Sequence, residues 1–362
     1  MLVNVQFLRF VAAMLVVLYH TAAFTPAGDP ALHGLFELGA AIGFAGVDIF
    51  FVISGFIMAY TTMDQGGGVD SWEFARRRLA RIYSGHWPFF FLTILVFAWA
   101  RPEHFEQSRL LASFLLWPQP LNWTLLEITW TLTFELYFYL LFSLLVLWVP
   151  RHRRAQVCLG ITLILLLLTL YRHFVAASFA LENFYYMPFW AHFLLSPFVL
   201  EFFAGTLVAF WLHNRKTGPS TPWLAAGALL FLLSGGMNAW GFGGLIEQGF
   251  HVVPRVLGFG LASVMMILGL VRMEYAGRVA PRRFSLTTGG ASYSIYLSHI
   301  LILAAVGKLG LFASLAGLPF GLASLASILV MGAILAYSVA HYRLLERPLH
   351  RQFKTALGLG PA

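Results

Sequence analysis

Arg9 and His20 bound the run Arg9-Phe-Val-Ala-Ala-Met-Leu-Val-Val-Leu-Tyr-His20, which is otherwise apolar and reads as a membrane-spanning helix. A charged group at the centre of such a helix costs about 2.5–3.5 kcal/mol on insertion scales, so an ionisable side chain at depth points to function. Eleven helical steps return to within about 20° of the starting direction while rising about 16 Å. Arg9 and His20 therefore share one face, three turns apart.

Further polar residues stand in apolar runs. In Gly46-Val47-Asp48-Ile49-Phe50-Phe51-Val52-Ile53-Ser54-Gly55-Phe56, Asp48 and Gly55 share a helical face, and the small pair Ser54-Gly55 permits close approach by a neighbouring helix. If the first span runs outward and the second returns, His20 and Asp48 fall at similar depth. An Asp48–His20 contact would fix the imidazole tautomer and raise its basicity, as a general base requires; the plainer reading has Asp48 bracing a helix. Arg77, Arg78 and Arg81 form a basic stripe that suits anionic lipid or a polyanion gripped by guanidinium forks. Glu135 has Tyr139 one turn on, and a buried carboxylate needs a cation, a donor or a proton. Tyr296 and His299 lie on successive turns, and Glu201 reads as a bundle brace or an acceptor contact. His86, His192 and His251 are expected near membrane interfaces. No His, Cys and carboxylate set has zinc spacing, so no metal is expected, and no glycine-rich phosphate loop is present.

The elements that must position these residues follow from composition. Of 362 residues 59% are apolar and 10% charged, with a mean hydropathy of +0.78, which implies an all-α polytopic membrane protein. Ten spans are expected, near 7–26, 41–60, 85–100, 132–149, 157–173, 193–213, 223–240, 253–271, 291–308 and 320–341. With both termini cytoplasmic, 18 of the 23 Lys and Arg fall on the inside, as the positive-inside rule requires. That bias accounts for the pI near 9.8 without nucleic acid, which is not expected as a partner. A cleaved leader ending near Thr21-Ala22-Ala23 is the alternative for the first helix; a retained helix is preferred, because a discarded peptide has no use for a His in register with Arg. Residues 1–350 read as one transmembrane domain and 351–362 as a short cytoplasmic tail. Gly66-Gly67-Gly68 reads as a joint, and Asp70 with Glu73 as a capping box that starts a short cytoplasmic helix before the third span. Cys158 is the single cysteine, so no intramolecular disulfide can form.

Several of these segments together resemble the acyltransferase-3 family of bacterial membrane acyltransferases. They are Arg9 to His20, the Gly46–Phe56 segment, Arg77-Arg78-Leu79-Ala80-Arg81-Ile82-Tyr83, and Trp130–Glu135 with Phe138-Tyr139. Ala291-Ser292-Tyr293-Ser294-Ile295-Tyr296-Leu297-Ser298-His299 and Leu345-Glu346-Arg347-Pro348 complete the set. The resemblance covers about residues 5–350 and is nearest to members that decorate exopolysaccharide or lipopolysaccharide. It implies a protein of the bacterial cytoplasmic membrane that moves an acyl group, usually acetyl, from cytoplasmic acyl-coenzyme A to a hydroxyl of a surface or lipid-linked carbohydrate. By that analogy Arg9 and His20 are the essential pair, Arg77, Arg78 and Arg81 hold the donor's phosphates, and Ser54, Glu135, Tyr139, Tyr296, His299 and Glu346 support the site or its acceptor side. The donor is a substrate, and no permanently bound cofactor is implied. Similar proteins commonly carry Pro soon after Arg-Ile-Tyr, where this chain has Ser84-Gly85.

A thioester is already activated, so the remaining tasks are to deprotonate a sugar hydroxyl and to stabilise the tetrahedral oxyanion. His20 suits the first as a general base oriented by Asp48; a covalent acyl-imidazole is a second route. The competing reading is a glycan or lipid transporter whose intramembrane Arg, His and Glu line a path.

Overall fold

A computed structural model describes residues 2–22, 39–63, 70–174, 189–213, 215–239, 253–315 and 319–359. Ala23, the joint at Gly66–Gly68 and His251 lie outside them. Every regular element among the described residues is helical. The main helices are α1 (Val3–Ala22), α2 (Gly46–Met63), α3 (Ser71–Ala100), α4 (Trp130–Trp148), α5 (Arg154–Phe174), α6 (Phe198–His213) and α7 (Thr221–Met237). They continue with α8 (Val253–Tyr275), α9 (Arg282–Gly290), α10 (Ser292–Lys308), α11 (Phe320–His341) and α12 (Arg347–Ala356).

Each of the ten expected spans falls, among the described residues, mainly on helix, with the sixth broken at 195–197. Among the described residues eight helical stretches are long and apolar enough to cross a membrane. A ninth is the pair α9 and α10, bent by 55° at Ala291, and α7 is apolar but shorter. One boundary is corrected. The expected short cytoplasmic helix and the third span are a single helix of 30 residues, α3, about 45 Å long. Asp70 caps it, its carboxylate accepting from the Trp72 N–H at 3.0 Å. Ser84-Gly85 lets the helix run on, because Gly85 lies flat against the Tyr293 ring.

The chain forms two compact units that interleave along the sequence. The first comprises Met1–Val5, Val47–Ala75 and Phe134–Arg282; the second comprises Gln6–Gly46, Arg76–Thr133 and Arg283–Ala362. In the first unit α2 and α6 cross at a reciprocal pair of glycines. A Cβ on Gly55 would stand 1.8 Å from the Phe202 carbonyl oxygen, and one on Gly205 would stand 2.0 Å from that of Val52. Only small residues allow such contact, and the dense ring cluster of Phe51, Phe134, Phe138, Phe198 and Phe202 packs beside it. Glu274, near the end of α8, accepts from the Val3 and Asn4 N–H groups at 2.7 and 2.8 Å, which satisfies two orphan donors at the start of the chain's first helix.

In the second unit Gly289 of α9 lies against the Gln6 carbonyl of α1, while Gly43 and Gly46 meet the Leu15 and Ala12 carbonyls. A π-helical turn, Tyr342–Glu346, joins α11 to α12. Such turns re-aim side chains and are frequent at functional sites.

Candidate active site

The second unit gathers most of the residues that the sequence singled out. Near the end of α1, His20 faces His299 of α10, with His20 Nδ1 3.2 Å from His299 Nε2 and 2.9 Å from the Val16 carbonyl. His299 Nδ1 lies 3.3 Å from the Ile295 carbonyl. This network assigns the tautomers. His299 donates from Nδ1 to Ile295, which leaves its Nε2 an acceptor. His20 donates from Nδ1, shared between Val16 and His299. The lone pair of His20 therefore sits on Nε2, the one ring nitrogen of this histidine pair without a hydrogen-bond partner among the described residues.

α10 is a polar spine whose inward side chains are almost all buried. The Tyr293 hydroxyl donates to the Ile82 carbonyl at 3.1 Å, and Ser294 donates to Glu346 at 2.6 Å while accepting from His341 Nδ1 at 2.9 Å. The Tyr296 hydroxyl donates to the Ile128 carbonyl at 3.0 Å and accepts from Thr131 at 3.1 Å; Ser298 donates to Ser338 at 2.8 Å. Tyr296 meets the His299 ring edge-on, so the fixed phenol also fixes that imidazole. Buried polar groups of this kind are specified by their partners, which is why a short motif full of Ser and Tyr can be an interior element.

Arg81 and Glu346 anchor the other end of the spine. Arg81 Nη1 donates to Glu346 Oε1 at 2.8 Å, and the carboxylate, wholly buried, spends its second oxygen on Ser294. Arg81 is thus tied into the spine and separated in role from the rest of the stripe. Arg77 and Arg78 are half-buried on the same helix. Arg9 is half-buried on α1, about 16 Å of helix from His20. That separation exceeds side-chain reach, so Arg9 and His20 do not meet at one point.

Asp48 has a different partner from the one expected. Arg255, at the start of α8, donates to both its oxygens at 2.6–3.1 Å, and both side chains are almost fully buried. The expectation that Asp48 orients His20 is corrected: a guanidinium satisfies the carboxylate completely, and His299 and Val16 hold the imidazole. Glu201 of α6 interacts electrostatically with both members of this pair, and its oxygens have no hydrogen-bond partner among the described residues. It is a brace within a buried ionic cluster. Arg255 was legible as a cation opening an apolar run, but the sequence assigned it to an outer loop. Glu135 pairs with Tyr139 on α4, and Ser54 is half-buried beside the α2–α6 crossing. Both belong to the first unit. A cavity of about 330 Å³ there, walled by residues that include Tyr137, Trp148, Val157 and Phe203, contains no Asp, Glu, His, Lys or Arg.

His86 and His192 are buried within the protein. His86 Nε2 donates to the Ser113 carbonyl at 3.0 Å and so pins the 101–131 segment to α3.

The family model described as an acyltransferase domain, acyltransferase-3, matches residues 2–341 of the chain. The chain belongs to the acyltransferase-3 family. It is therefore an enzyme, a multi-pass membrane acyltransferase. The acyltransferase is 33% identical over 323 residues to the exopolysaccharide production protein ExoZ of Rhizobium meliloti (strain 1021), a match that covers 86% of this chain and 90% of that protein. No solved structure matches. The six sequence segments that carried the resemblance all fall within or beside the matched region, and four of them, around His20, Arg81, His299 and Glu346, meet in the second unit.

Proposed function

We propose that this acyltransferase moves an acyl group, acetyl by the family resemblance, from cytoplasmic acyl-coenzyme A to a hydroxyl of an exopolysaccharide or its lipid-linked precursor, in the bacterial cytoplasmic membrane. The observation that carries the reading is the His20–His299 pair, which leaves the half-buried His20 imidazole with an unshared Nε2 lone pair. His20 Nε2 takes the proton of the acceptor hydroxyl as its oxygen attacks the thioester carbonyl. The tetrahedral oxyanion collapses with loss of the coenzyme A thiolate, and the imidazolium returns its proton to that sulfur. While charged, His20 keeps its Nδ1–H on Val16 and His299, two neutral acceptors that stabilise the cation without quenching it. Asp48 has no part in this step. Arg77 and Arg78 bind the anionic end of the donor, Arg9 holds it along α1, and Arg81 positions the spine through Glu346.

The ExoZ relationship supports an exopolysaccharide as acceptor. Solubilisation separates this reading from the transporter. Detergent-purified protein given acetyl-coenzyme A labelled in the acetyl group should label polysaccharide purified from a strain lacking this gene. Absence of label on every such glycan, with the protein folded and donor-binding, would favour transport.

A further inference from the structure

The 101–131 segment presents a polar cluster that the proton-transfer scheme leaves unused. Glu127 opens the short turn Glu127–Thr129, and Arg101 holds its carboxylate, Nη1 donating to Oε2 at 3.1 Å, while His104 Nδ1 lies 3.8 Å from Oε1, beyond hydrogen-bond distance. His104 is itself fixed, its Nε2–H donating to the Thr124 and Leu125 carbonyls at 3.1 and 3.2 Å, and Arg101 lies over the Phe97 ring. Carboxylate and guanidinium nonetheless stay open, 40% and 38% exposed. Exposed pairs contribute little to stability, so holding the chain together does not account for the arrangement.

Its location does. Ile128, the next residue, accepts the Tyr296 hydroxyl, Tyr296 meets the His299 ring, and His299 faces His20. The Glu127 carboxylate acts electrostatically on the His20 ring. A carboxylate only accepts hydrogen bonds and a guanidinium only donates them, so side by side they match two neighbouring hydroxyls, one giving its proton to Glu127 and one accepting from Arg101.

We propose that Glu127 and Arg101 form the acceptor's sugar subsite, binding a vicinal pair of pyranose hydroxyls beside the hydroxyl that His20 deprotonates. This rests on the acyl-transfer reading above, and one experiment separates the two. Purified wild type is assayed with acetyl-coenzyme A and polysaccharide from a strain lacking the gene, each varied against saturation by the other. Glu127→Gln and Arg101→Gln should each raise the half-saturating polysaccharide about tenfold or more, the loss expected for a hydrogen bond to a charged group. The half-saturating acetyl-coenzyme A should not move, and Glu127→Asp should recover part of the loss. Unchanged polysaccharide half-saturation in both Gln variants, or an equal loss for donor and glycan, overturns the subsite. A wild type that transfers no acetyl overturns the acyl-transfer reading itself. If one Gln variant fails to fold, the other reads the same quantity.

Discussion

Replacing Arg255 with Gln tests whether Asp48 braces the fold or serves the chemistry. Arg255 donates to both Asp48 oxygens, and Glu201 lies close to both, so R255Q leaves two buried carboxylates without a cation. Breaking a buried pair from one side costs about 3–5 kcal/mol, more than a hundredfold in the folding equilibrium. D48N should cost less, about 1–3 kcal/mol, because Glu201 remains to face Arg255. E201Q alone should stay within about 1 kcal/mol of wild type, since the new amide can donate to Asp48. The triple variant D48N/E201Q/R255Q carries no charge at the cluster and should recover most of the R255Q loss, as neutral replacements of buried ion pairs often do. Unfolding of the purified protein in detergent, followed at several denaturant concentrations, gives the order, and acetyl transfer per folded molecule gives the second readout. An R255Q cost below about 1 kcal/mol refutes the brace. So does folded D48N with the roughly hundredfold or greater rate loss that belongs to a missing general base.

Other expectations are independent of that cluster. His299→Ala should lower kcat about 10–100-fold with little change in the half-saturating acetyl-coenzyme A, because His299 accepts from His20 Nδ1 and binds no donor. An unchanged kcat would remove His299 from the mechanism. Arg77→Ala and Arg78→Ala should weaken acetyl-coenzyme A binding about tenfold each, less so at high salt, and leave glycan saturation alone. A salt-independent effect would contradict an anion clamp. Gly55→Ala should destabilise by about 2 kcal/mol or more, because its Cβ would fall 1.8 Å from a backbone oxygen and α2 must move off α6. A wild-type unfolding curve for that variant would mean the helices do not cross at those glycines.

The amino-acid pattern made the helical membrane class plain, since apolar runs of span length punctuated by Arg-rich loops admit few alternatives. It also marked Tyr296 and His299 as polar residues in an apolar stretch, while Tyr293, Ser294 and Ser298 entered only with the family motif; all five are buried. Pairing was the illegible part. Asp48 and His20 were expected at similar depth, but depth does not choose neighbours, and Arg255 lies 207 residues from Asp48 in sequence. The continuity of α3 was hidden for a related reason: Arg77, Arg78 and Arg81 mark an interface in sequence, while the helix runs on past it, through Pro88, to Ala100. Glu127 escaped attention because an acid in a segment between spans ordinarily faces water, and its importance comes from Tyr296, which ties the adjacent residue to the spine.

The central claim is that His20 Nε2 removes the proton from the acceptor hydroxyl. Acetyl transfer by purified His20→Ala, at saturating acetyl-coenzyme A and polysaccharide and with an unfolding curve matching wild type, should fall about 10²–10⁴-fold. A rate within a few-fold of wild type would contradict the claim.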